Sequence, residues 1–178
     1  WMLVDADGRF ITQRTHPQMV LIRPSIESGR LVLTNDRGET HAVPGIESAI
    51  GRMQVQVWND SVSACRLDRA TDAWVSEAIG ESCHLVTIDD DEVRQCDPAY
   101  ADPGDRTGFA DGFPLLLISQ ASLDGLNARL DTAVPMIRFR PNLVVDGCGP
   151  HEEDSWRRIR IGEVTFRVVK PCSRCPIP

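Results

Sequence analysis

Short strand-like runs separated by tight turn signals constrain this chain more than any other feature. "WMLVD" and "RFITQR" flank "ADG", and "QMVLIRPSI" and "RLVLTND" flank "ESG", which is the spacing of consecutive hairpins. Further strands follow at "MQVQVWND", "SACRLD" and "HLVTI". One helix interrupts them: Asp68 is placed to cap "RATDAWVSEAIG", Ala70, Ala73, Trp74 and Ala78 fall on one face, and Gly80 ends it. The run "DDDEVRQCDPAYADPGDRTGFADG" is then rich in Asp, Gly and Pro and reads as a linker or long loop over 91–111. Beyond it come a buried strand "PLLLIS" and a short helix in "ASLDGLNARL", capped by Ser122, with Leu123, Leu126 and Leu130 on one face. Strands follow at "MIRFRPNLVV", "RIRIG" and "VTFRVVK". The expected class is mainly β with a few helices (α+β), with a β-rich domain over 1–90 and a second over 112–178.

A chain of 178 residues, 42% hydrophobic and 25% charged, can build one substantial core or two small ones. No apolar run is long enough to cross a bilayer, and "WMLVDADGRF" has none of the parts of a signal peptide, so no membrane role is expected. Of six cysteines, Cys65, Cys83, Cys96 and Cys148 are scattered singly, which fits a reducing cytoplasm better than a disulfide scaffold. The chain opens at Trp1 without an initiator methionine and stops shortly after Cys175, so it reads as a piece of a longer protein. The net charge of −7 argues against nucleic acid as the main partner. It is uneven: residues 136–178 hold eight Arg or Lys against five acids, a local +3 that leaves −10 for the rest. That end can hold a small anion, or carry basic groups on solvated strand faces.

The motif with the most chemistry is "CSRC", Cys172 to Cys175. Joined to "CGPH" (Cys148, His151), it would complete a tetrahedral zinc set of three sulfurs and one imidazole. A thioredoxin-like redox pair needs the motif at a helix N-terminus, but here it follows a strand and precedes "PIP". "HEED" at 151–154 lacks the second histidine of a zincin and reads as a solvated acidic loop, as does "DDDE" at 89–92. Trp74 and Trp156 read as core residues, and Trp58 as packing between strands. Arg138 and Arg140 alternate along the expected strand and so share a face.

Four motifs in order, Arg140-Pro141-Asn142, Gly147-Cys148, Glu153-Asp154-Ser155-Trp156 and Cys172-Ser173-Arg174-Cys175, resemble the MOSC domain in the branch of bacterial YcbX and the mitochondrial amidoxime-reducing component. The N-terminal strands resemble the β-rich domain that precedes MOSC there, so the likeness covers nearly the whole chain. It implies an incomplete MOSC β-barrel over 112–178, with family segments continuing before Trp1 and after Cys175.

The resemblance also implies a molybdenum cofactor, molybdenum held by a pterin dithiolene. Cys175 would be the catalytic cysteine and metal ligand, since a soft thiolate suits such a metal. Arg140 and Asn142 would meet the pterin phosphate, where a guanidinium binds in a bidentate way. Gly112, Phe113, Ser173 and Arg174 would line the cofactor. The implied reaction is reductive removal of oxygen from small N-hydroxylated compounds, with electrons from a flavin or iron–sulfur protein. The family is also associated with pyridoxal phosphate binding. A cofactor or sulfur-carrier module without turnover, and the structural zinc domain, are the alternatives.

Overall fold

Tight turns between successive strands in the N-terminal half produce antiparallel pairing, since so short a connection cannot join parallel strands. The computed structural model describes residues 1–173 and divides into two units, Trp1–Arg94 and a second that begins at Gln95. The first contains β1 (Met2–Val4), β2 (Arg23–Glu27), β3 (Arg30–Thr34), β4 (Thr40–Ala42), β5 (Gly51–Val57), β6 (Asp60–Arg66), α1 (Arg69–Ile79) and β7 (His84–Thr87). Its strands form an antiparallel sheet in the order β1-β7-β6-β5 and a second sheet β2-β3-β4. A bridge from Arg9 to Gln56 ties the loop after β1 to the opposite edge strand, so the four-stranded sheet curls. Gly8 permits this: its φ is +79°, and a Cβ there would sit 2.3 Å from the Gln54 carbonyl oxygen.

Two expected strands are absent here. "RFITQR" contributes only isolated bridges at Arg9 and Phe10. "QMVLI" is a 3₁₀ turn over Pro17–Leu21, because Pro17 cannot donate to a ladder and its fixed φ suits the first helical position. Trp58 does not pack between strands. It occupies the β5–β6 turn with φ +55°, which places its ring outside the ladder, 4.9 Å from Phe10 and under the Arg14 guanidinium.

The core of this unit joins Ile11, Leu31, Leu33, Val43, Leu67, Val75, Ile79, Cys83 and Leu85, with Trp74 packed against it. Helix α1 starts at the Asp68 cap, whose carboxylate accepts from the Thr71 N–H at 2.6 Å, and ends at Gly80 in the left-handed region. Its buried face differs from the expected one: Thr71, Asp72, Val75 and Ile79 are buried, while Ala70 and Ala73 are exposed. Partners decide this. Asp72 accepts from Arg66 Nε at 2.9 Å and the Leu85 N–H at 3.2 Å, with His84 Nδ1 at 2.9 Å, so its inward carboxylate is satisfied.

The second unit contains β8 (Leu117–Ser119), α2 (Gln120–Asn127), β9 (Leu143–Val145), β10 (Arg158–Ile161) and β11 (Val164–Arg167). β8 and β9 pair in parallel, and β10 and β11 form an antiparallel hairpin. Strand β8 is half-buried rather than buried. Helix α2 starts earlier than expected because Ser119, not Ser122, caps it by accepting from the Ser122 N–H. It ends at Asn127, whose side chain bonds both the N–H and the carbonyl of Val134, so Leu130 lies past the helix and is exposed. The chain over 95–106 closes on itself through a bridge between Gln95 and Arg106 and a bond from the Cys96 N–H to the Asp105 carbonyl.

Candidate functional site

The Arg-Pro-Asn stretch is not the strand its alternation suggested. Met136–Phe139 is a 3₁₀ turn that ends at Arg140 in the left-handed region, φ +50° and ψ +48°. Arg138 and Arg140 therefore do not share a strand face. The structural cause is Pro141, which cannot donate to a ladder, followed by Asn142, which opens a different pairing. The Leu116 carbonyl accepts from the N–H groups of Asn142 and Leu143, and the Leu116 N–H donates to Asn142 Oδ1 at 2.8 Å. Asn142 thus pins the entry of β8 to that of β9, leaving its amide nitrogen as the group that can face a ligand. A left-handed arginine costs about 1–2 kcal/mol, a strain that concentrates at binding sites. Arg140 is exposed and has no carboxylate partner among the described residues.

Gly112 and Phe113 lie just before the Leu116 anchor, and Phe113 carries the next connection. The Phe113 ring meets Tyr100 edge-on at 6.4 Å, and the Lys170 ammonium sits 4.7 Å from the Tyr100 centroid and 5.6 Å from that of Phe113. Phe113 is thereby linked to the segment that leads into Cys172 and Ser173, both exposed. Gly112 needs neither a left-handed backbone nor tight packing, since a Cβ would meet nothing within 4 Å. Arg174 and Cys175, expected beside and at the metal, lie outside the described residues.

Glu153 was misread from its sequence as part of a solvated loop. It is buried, and Oε1 accepts from the Ser119 N–H at 2.9 Å and the Ser122 hydroxyl at 2.6 Å, while Oε2 lies 2.9 Å from the Ser119 hydroxyl. Ser122 Oγ also accepts from the His151 N–H at 2.7 Å. These bonds fasten the loop that carries Gly147, Cys148 and His151 to the turn between β8 and α2. Burial by itself raises the Glu153 carboxyl, but the bonds from Ser122 and Ser119 outweigh it and leave it below the usual glutamate range. The spacing of Ser119 and Ser122 was the available signal; nothing local pointed to a partner 31 residues further on.

Among the described residues no three His, Cys, Asp or Glu side chains gather as a metal site, so Cys148, His151 and Cys172 do not form one.

Residues 1–82 match the model of the MOSC N-terminal beta barrel domain, and residues 104–178 match that of the MOSC domain. A molybdenum cofactor sulfurase of Oryza sativa subsp. japonica is 31% identical over 98% of this chain and 24% of its own length. Mitochondrial amidoxime-reducing component 1 is 31% identical in Mus musculus and 30% in Homo sapiens, each over 98% of this chain and 53% of the relative. The chain thus spans about half the length of the amidoxime-reducing components and a quarter of the sulfurase. It belongs to the MOSC family, with the MOSC domain preceded by its N-terminal beta barrel domain.

Proposed function

We propose that this chain is the cofactor-binding part of a molybdenum-dependent reductase of small N-hydroxylated compounds. The observation that carries the reading is the likeness to amidoxime-reducing components over 98% of the chain, through both domains in order. The cofactor, when bound, supplies the two-electron oxygen-removal chemistry. Arg140 holds the anionic end of the cofactor with its guanidinium fork, and Asn142, fixed by Leu116, offers its amide nitrogen beside it. Gly112 lets the backbone approach the ligand, Phe113 walls it, and Ser173 and Arg174 flank Cys175, the thiolate proposed to ligate the metal. Electrons come from a flavin or iron–sulfur protein partner. No helix among the described residues is long and apolar enough to cross a membrane, and the proposed compartment is the cytoplasm.

The rice sulfurase favours a second reading, a cofactor or sulfur-carrier module without turnover on the same Cys175. Elemental analysis with pterin detection, on full-length protein from hosts that do and do not make the molybdenum cofactor, separates these. The reductase reading expects molybdenum and pterin together, both lost in the deficient host, and turnover of an N-hydroxylated amidine. Cofactor without turnover supports the carrier. Stoichiometric zinc without pterin overturns both and leaves a zinc domain.

A further inference from the structure

Lys170 stands immediately before Pro171 and Cys172, and its ammonium is held between the rings of Tyr100 and Phe113. Tyr100 belongs to the self-closed loop 95–106, whose interior is fixed by its own bonds: Gln95 Nε2 donates to the Asp102 carbonyl at 2.9 Å, the Gly104 N–H donates to Gln95 Oε1 at 2.8 Å, and the Asp102 N–H donates to Asp105 Oδ2 at 2.8 Å. The same loop grips β11 from a second point. Arg167 pairs with Asp102 at 2.9 Å and with Asp105. One compact loop therefore holds the chain at Arg167 and again at Lys170, on either side of the last backbone bond of the hairpin, from the Val168 N–H to the Arg157 carbonyl.

We infer that the 95–106 loop is a clamp in which Tyr100, with Phe113, fixes Lys170 and thereby sets the course of residues 168–173, which precede Cys175 in the sequence. Tyr100 and Lys170 are positioning residues and touch no reacting atom. Tyr100 is 45% exposed and Lys170 is exposed, so neither contributes a core contact that would explain the arrangement. The attraction depends on a cation over a π face, which makes the role separable from bulk. This inference rests on the reading that Cys175 faces the cofactor.

The test uses full-length protein and two readouts. In cofactor-free protein, hydrogen exchange over residues 168–173 should quicken roughly 3- to 10-fold in Tyr100→Leu and in Lys170→Met, and return to the parent rate in Tyr100→Phe and Lys170→Arg. In protein made with the cofactor, pterin content should fall in the first two variants and recover in the second two. Unchanged exchange in both Tyr100→Leu and Lys170→Met overturns the clamp. Faster exchange with undiminished pterin, while Cys175→Ser loses molybdenum, overturns the positioning role and leaves the cofactor reading intact. If Cys175→Ser keeps its molybdenum, the cofactor reading itself fails, and the positioning role falls with it whatever the exchange shows.

Discussion

The two units are stabilised at their centres by different forces. The first buries Leu67, Val75, Val62, Val86 and their neighbours, apolar side chains with almost no exposure. Among the described residues of the second, the buried apolar side chains are Cys96 and Leu123, and its other buried groups are polar: Thr107, Ser119, Ser122 and Glu153. Apolar burial is insensitive to charge state, whereas a buried carboxylate holding three donors is not. The apolar core of the first unit should therefore hold on acidification, although that unit also buries a carboxylate, Asp72, on three partners, whereas the second should behave as a surface whose shape depends on ionisation. That division suits the proposed site, which would be built from loops.

The largest expected effect lies in the scaffold. Leu67→Ala deletes a fully buried side chain and should cost about 2–5 kcal/mol in denaturant unfolding. Leu123→Ala, at a residue packed in a half-buried helix, should cost less. Equal losses would break the contrast between the units. Next comes Glu153→Gln, which keeps volume but replaces one acceptor oxygen by an amide that donates; leaving a buried donor unmatched costs about 1–3 kcal/mol. Its signature is local: faster hydrogen exchange at Ser119, Ser122 and His151, with the β5–β6 ladder unchanged.

The acid response sharpens the comparison. Glu153 is depressed in the folded state from an ordinary value of 4.5, so its stabilisation is complete above that pH and fades as pH falls through its lower folded value. The Arg52 guanidinium holds Asp89, in the first unit, at about 2 instead of 3.8, so that contribution is lost only between those two values. On acidification, protection at Ser119 and His151 should begin to fall below pH 4.5, and Glu153→Gln should flatten that slope. The link between Arg52 and Asp89 should yield later, while amides of the apolar core hold. Core and network amides failing together would show that the units do not differ in this way.

Legibility followed the same division. The β2–β3 hairpin, the Asp68 cap, the Gly80 stop and the β10–β11 pair were readable because local alternation and cap chemistry determine them, whereas the hairpin expected across Ala6-Asp7-Gly8 did not form as a ladder, β1 pairing with β7 instead. The failures came where a distant partner decided the outcome. Asp72 turned inward because Arg66, His84 and Leu85 receive it, and Glu153 was buried because two serines 31 and 34 residues earlier satisfy it. Lys170 found one of its two rings, Tyr100, in a stretch whose composition read as linker. For the candidate site, the family motifs supplied the proposed residues, and the strand expected at Arg138–Arg140 was wrong, because alternation alone ignored what Pro141 does to a ladder.

The smallest expected change in stability is at Arg140, where function and stability should separate. Glycine takes the left-handed conformation freely, so Arg140→Gly relieves roughly 1 kcal/mol of strain, while the greater freedom of the unfolded chain takes back about the same. The midpoint of denaturant unfolding should therefore move little. Pterin content of the full-length protein should nonetheless fall, because the fork is gone, and Arg140→Lys should also lose pterin, since an ammonium keeps charge without bidentate geometry. A clear gain in stability with pterin retained would mean that the strained backbone at Arg140 serves only the turn, and that the anionic end of the cofactor is held elsewhere. Loss of both stability and pterin would make Arg140 a structural residue, removing the contrast between a scaffold kept for folding and a loop surface kept for binding.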